Sequence, residues 1–279
     1  MYYDFFGFRE PPFSIAPDPR YLYLSDRHKE ALAHLMYGVQ GQGGFIVITG
    51  EVGTGKTTVC RCFIENAPAH VDIALVLNPR LSARELLSSV CDELEIAHQP
   101  DASIKTLVDS INQDLLKAHA AGRHKVLIID EAQNLSAEVL EQLRLLTNLE
   151  TESMRLLQVV LFGQPELDAM LRQESLRQLR QRITFSYQLQ PLDRQLVSQY
   201  LRHRLGQAGY NGGDLFRPAA LRLITRASGG IPRLVNILAH KAMLSAWGSG
   251  DLQVGRKHVM QAIRDTETAR MPGLWARLV

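Results

Sequence analysis

Residues 49–58 read TGEVGTGKTT and contain the spacing Gly50-x-x-x-x-Gly55-Lys56-Thr57. Glycines so placed let the backbone turn without Cβ clashes, so successive N–H groups can face an anion. Lys56 would add a point charge to the β- and γ-phosphates, and the Thr57 hydroxyl would join a magnesium shell. The candidate phosphate-binding residues are therefore Gly50, Glu51, Val52, Gly53, Thr54, Gly55, Lys56, Thr57 and Thr58. A second group follows the apolar run VLII: Asp130, suited to hold Mg2+ directly or through water, and Glu131, suited to orient and polarise an attacking water. The bland alternatives are a glycine turn between two core elements and a carboxylate pair acting as caps.

The elements needed to position these groups are legible around them. Phe45–Thr49 is a short apolar, β-branched run, the pattern of a buried parallel strand, and Thr57–Asn66 has helical spacing of Val59, Phe63 and Ile64. Strand, glycine loop and helix in that order put a helix N-terminus behind the phosphates. Further apolar strands are expected in VDIALVLNPR, KVLIIDEAQNL, LLQVVLFG and ITFSYQLQPL, separated by helical patterns. Ser82 to Glu85 reads as a capping box, and Ser25 and Ser136 as N-caps. Alternating helices and strands imply an α/β fold with a parallel sheet and with ligand groups at the strands' carboxyl ends. After Pro191 only helical patterns remain, broken by GYNGGD and SGGIPR.

Composition narrows the class. The 279 residues carry 31 basic and 29 acidic side chains, a net charge of +2, which gives no global attraction to nucleic acid. Cys60, Cys62 and Cys91 form no metal-type C-x-x-C pair, and their odd number suits reduced thiols packed in cores. The sequence shows no apolar run of membrane-spanning length. Four segments are expected: 1–24, an aromatic and proline-rich opening packed on the core; 25–191, a P-loop α/β nucleotide-binding domain; 192–267, a helical lid; and 268–279, a tail. Tyr21-Leu22-Tyr23 of the opening is the expected contact to a nucleotide base.

Together, Gly50–Thr57, Asp130–Glu131, the helical second domain and Gly230-Ile231-Pro232-Arg233 resemble the AAA+ ATPases. The opening FFGFREPPFSIAPDPRYLYLSDRHKEALAHL, with TGEVGTGKTT, DEAQNLS, FGQPEL and SGGIPRLVN, resembles more narrowly the ExeA/GspA-type secretion ATPases, to about residue 270. The resemblance implies ATP and Mg2+ as cofactors and assigns further roles. Gln164 matches the sensor of the γ-phosphate, and Arg233 a lid cation reaching the phosphates. Arg182 matches an arginine finger offered to a neighbouring subunit, with Arg177 and Arg180 as competitors. Asn78 fits a switch residue able to hold Glu131 away from water, although a turn-forming Asn before Pro79 fits equally. The resemblance also implies self-association, an ExeB/GspB-type inner-membrane partner, and a cytoplasmic location at the inner membrane of a Gram-negative bacterium. The activity implied is ATP hydrolysis driving assembly of the type II secretion secretin. Family members continue through a transmembrane helix, so the chain is expected to be the cytoplasmic part of a longer protein, with Trp275-Ala276-Arg277 approaching the membrane.

Other classes compete. A DNA-binding AAA+ ATPase of the transposition-regulator type would need a basic surface, for which Arg172, Arg177, Arg180, Arg182, Arg202, His203 and Arg204 are candidates. A soluble pilus-biogenesis ATPase is another reading. A nucleotide switch without hydrolysis is disfavoured by the intact Glu131.

Overall fold

The computed structural model of the chain describes residues 2–15, 18–39, 43–77, 79–149 and 155–271. In chain order the first elements are α1 (Tyr2–Phe6), α2 (Asp26–Val39), β1 (Gly44–Gly50), α3 (Lys56–Asn66), β2 (Val71–Val76) and α4 (Ala83–Glu93). There follow α5 (Ile104–Ala120), β3 (His124–Ile129), α6 (Ala137–Leu146), β4 (Leu157–Gly163), α7 (Pro165–Leu171), α8 (Arg177–Arg180) and β5 (Ile183–Leu189). The rest is helical: α9 (Arg194–Gln207), α10 (Pro218–Ser228), α11 (Pro232–Gly248) and α12 (Arg256–Arg264).

Two compact units divide these elements. One comprises Asp26–Gly50 and Lys56–Leu189. Its five strands pair in the order β2-β3-β4-β1-β5, all parallel. Every residue of β1 and β4 is buried, as expected for central strands covered on both faces. Their side chains alternate between two cores: Phe45 and Val47 of β1, with Val159 and Leu161 of β4, meet α4, α5 and α6. Ile46, Ile48, Val160 and Phe162 point the other way and meet α2 and α3. At the β5 edge the alternation expected from ITFSYQL is present: Thr184 and Ser186 are exposed, while Phe185 stacks on His34 at 3.7 Å between ring centres. Ser82 closes a complete capping box with Glu85, and Ser136 caps α6 through the N–H of Val139.

The second unit gathers the opening residues to Ser25, the loop residues Glu51–Gly55 and the chain from Gln190 onward. The aromatic and proline-rich opening, expected to pack on the core, contributes its rings to the core of this helical unit. Tyr2, Phe6, Phe8, Phe13 and Tyr21 are buried in one core with residues of α9, α10 and α11. The aromatic rings fill space between helices, with Phe8 near Tyr210 and Phe13 near Phe216. Polar contacts fix the path: Arg204 of α9 is buried and donates to the carbonyls of Pro12 (2.6 Å) and Ser14 (2.9 Å). The N–H of Arg9 donates to the carbonyl of Ala208. Tyr21 lies beneath the Arg204 guanidinium, and Tyr23 bonds Gln199, so the two rings read as base contacts are engaged within this unit.

Gly230 shows why SGGIPR needs its glycines. Its φ is +77°, and a Cβ there would stand 1.9 Å from the carbonyl oxygen of Leu192. That approach lets the N–H of Leu192 donate to the Gly230 carbonyl at 2.9 Å, joining the start of the helical segment to the turn before α11.

Candidate nucleotide site

The carboxyl ends of β1, β3 and β4 carry the predicted chemistry, with β4 standing between the other two. Lys56 begins α3 and is buried, its ammonium donating to the Gly50 carbonyl at 2.8 Å. The Thr57 hydroxyl donates to Oδ2 of Asp130 at 3.3 Å. Asp130 is buried just past β3, and its Oδ1 accepts the N–H of Glu131 at 2.9 Å. Burial raises the Asp130 carboxyl above its usual range, and the neighbouring Glu131 charge adds to that.

Glu131 sits in the left-handed region (φ 53°, ψ 37°). Its Oε2 accepts from Nε2 of Gln133 at 2.5 Å and from Nε2 of Gln164 at 3.1 Å. Burial pushes its carboxyl up, but the two amide donors and Lys56 outweigh burial and hold it below the usual range. The structure thus brings Gln164 onto Glu131, as well as placing it at the end of β4. Gln133 is a residue the sequence reading missed. A glutamine two positions after a carboxylate pair carries no signal of its own, because its second partner, the backbone N–H of Gln164 just past β4, is distant in the chain.

In the helical unit, Gly53 (φ +83°) passes so close to Arg233 that a Cβ would stand 2.6 Å from the Arg233 Cβ. The N–H of Arg233, in the first turn of α11, donates to the Gly53 carbonyl at 3.3 Å. Thr54 closes the turn onto the Glu51 carbonyl through its hydroxyl at 2.8 Å, while Val52 is exposed. Gly55 also has a positive φ of 106°.

Arg182 follows α8, half-buried, and donates to the Arg144 carbonyl (2.9 Å) and the Thr147 hydroxyl (3.0 Å) at the end of α6. Arg177 and Arg180 are both bonded, to Glu174 and to the Arg172 carbonyl, and Arg180 is exposed. Asn78 and Trp275-Ala276-Arg277 lie outside the described residues. Cys60, Cys62 and Cys91 are free thiols and buried, and burial pushes Cys60 up to about 12. Among the described residues no helix is long and apolar enough to cross a membrane.

The residues present suit a magnesium nucleotide. Thr57 and Asp130 offer hard oxygen donors already in contact with each other, the donor type that Mg2+ prefers.

Residues 39–171 match the family described as AAA domain. The chain is 52% identical over 275 residues to General secretion pathway protein A of Aeromonas hydrophila, covering 99% of this chain and 50% of that protein. Among solved structures it is similar to Cdc6p of Pyrobaculum aerophilum, with TM-score 0.69 and 15% identity over 91% of this chain and 70% of that one. It is also similar to the ORC2 protein of Aeropyrum pernix, with TM-score 0.65 and 19% identity over 97% and 74% of the two chains. At those identities the structural likeness is one of fold. The parallel sheet, the phosphate loop and the AAA match define an AAA+ P-loop protein. Within that class the sequence is of the ExeA/GspA type, and it spans half the length of the curated relative it matches.

Proposed function

We propose that the chain binds ATP with Mg2+ and hydrolyses it. The observation that carries this reading is the convergence of Lys56, Thr57, Asp130, Glu131 and Gln164 at the carboxyl edge of one parallel sheet. Bound Mg2+ would neutralise charge developing on the transferred phosphoryl group, held through Thr57 and Asp130. Gly50, Glu51, Val52, Gly53, Thr54, Gly55 and Thr58 would line the phosphates with Lys56. Glu131 would polarise the water, Gln164 would report the γ-phosphate, and Arg233 would add a lid cation. Arg182 would act across a subunit boundary, which makes self-association part of the reading.

The 52% identity to a General secretion pathway protein A supports a role in secretion. On that basis the energy of hydrolysis serves secretin assembly at the inner membrane, with a GspB-type partner.

The test is phosphate release from ATP by wild type and by Glu131→Gln. Turnover by wild type with ATP bound but not cleaved by the variant is expected, because the glutamate acts on the water rather than on bound ATP. Equal turnover by the two proteins would remove Glu131 from the role given it.

A further inference from the structure

Resting on the reading of Glu131 as the water-polarising group, we propose that Gln133 is a positioning residue that ties this carboxylate to the end of β4. Glu131 and Gln164 then move together. The 3-10 turn Ala132–Asn134 follows Glu131 directly. From it the Gln133 carboxamide uses both ends: Nε2 donates to Glu131 Oε2 at 2.5 Å, and Oε1 accepts the backbone N–H of Gln164 at 3.0 Å. Gln164 closes the ring through its own Nε2 on the same carboxylate oxygen at 3.1 Å.

Three features separate this from ordinary packing. The carboxamide can have only one orientation, because a flip would set its oxygen against a carboxylate and its NH2 against an N–H. Glu131 is held in the left-handed region, and such conformations persist where their surroundings over-determine them. The fold has other ways to hold these segments: Ser136 caps α6, and β4 is paired with both β1 and β3.

The consequence is directional. Both amides fall on Oε2, which leaves Oε1 as the oxygen to meet water. A displacement of Gln164 by an incoming phosphate is transmitted to Glu131 by two routes, one through the Gln164 side chain and one through Gln133.

Two variants separate the halves of the contact. Gln133→Met keeps length and removes donor and acceptor. Gln133→Glu keeps the acceptor for the Gln164 N–H and removes the donor to Glu131. In the nucleotide-free protein, NMR proton exchange of the Gln164 backbone amide should quicken about tenfold in the Met variant and stay slow in the Glu variant. Both variants should lose kcat by about 10–100-fold, as expected for a disturbed general base. KM and the calorimetric Kd for ATP should stay within about twofold, because the two hydrogen bonds of the Gln133 carboxamide go to Glu131 and Gln164. An unaltered Gln164 exchange or an unaltered kcat in Gln133→Met overturns the proposal. So does a parallel loss of ATP affinity, which would mark a structural role. Retained turnover in Glu131→Gln would instead overturn the reading of Glu131 while the exchange result stood.

Discussion

The ammonium of Lys56 and the carbonyl oxygen of Gly50 are joined by a buried hydrogen bond of 2.8 Å. That bond holds the Lys56 side chain against the end of β1. Lys56→Ala should weaken ATP binding by about 10–100-fold, since hydrogen bonds to charged groups contribute ~1.5–3 kcal/mol. Isothermal calorimetry reads this directly, and an unchanged Kd would refute it.

The role proposed for Arg182 would compete with the bonds its guanidinium makes within the chain. Its bonds to the Arg144 carbonyl and the Thr147 hydroxyl close the end of α6. Arg182→Ala should bind ATP normally yet hydrolyse it slowly, an arginine finger being worth about 10³–10⁵-fold in related phosphoryl transfers. Mixing it with Lys56→Ala protein should restore part of the activity, because mixed assemblies contain boundaries with both residues intact. If mixed oligomers form and no activity returns, Arg182 serves α6 alone.

Gly230→Ala should destabilise the helical unit by about 2–4 kcal/mol, combining a steric conflict with positive-φ strain. The new Cβ would lie 1.9 Å from the Leu192 carbonyl oxygen. Gly213, where a Cβ would meet nothing within 4 Å, is the control. Its alanine variant should stay within about 0.5 kcal/mol in urea unfolding.

Acid should loosen the α/β unit at one identifiable place. Asp72 in β2 is held down to about 2 by Arg123 and Lys125, against an ordinary value of 3.8. Lys125 is buried between Asp72 (3.1 Å) and Asp114 (3.0 Å). A depressed carboxyl contributes stability above its unfolded pKa and loses it as pH falls through the folded value. The contribution should therefore be full at pH 5 and fade between about pH 4 and pH 2. Asp72→Asn should lower stability by about 1 kcal/mol at pH 7 after allowance for solvent screening, with the gap to wild type closing near pH 2. A gap that stays constant across that range would exclude the ion pair as its cause.

Local chemistry was readable wherever one stretch of chain contained all of it. The phosphate loop, the capping box at Ser82 and the apolar run before Asp130 each announce themselves within a few residues. The insertion of β4 between β1 and β3 is not of that kind, since nothing in LLQVVLFG encodes its neighbours. Gln133 escaped for the same reason: its value lies in a backbone N–H at the end of β4. The aromatic opening was legible as buried material but not as to where. Hydrophobic burial has no direction, and the polar contacts that choose the site, from Arg204 to Pro12 and Ser14, join residues far apart in the sequence.

That opening has a consequence for how the molecule comes into being. Tyr2, Phe6, Phe8 and Phe13 are synthesised before the helices that bury them, with the entire α/β unit made in between. At ~5–20 residues per second the interval is of the order of ten seconds or more. During it a cluster of large rings has no native partner, and transiently exposed apolar surface of this kind favours aggregation. The helical unit is a clasp whose first half waits for its second.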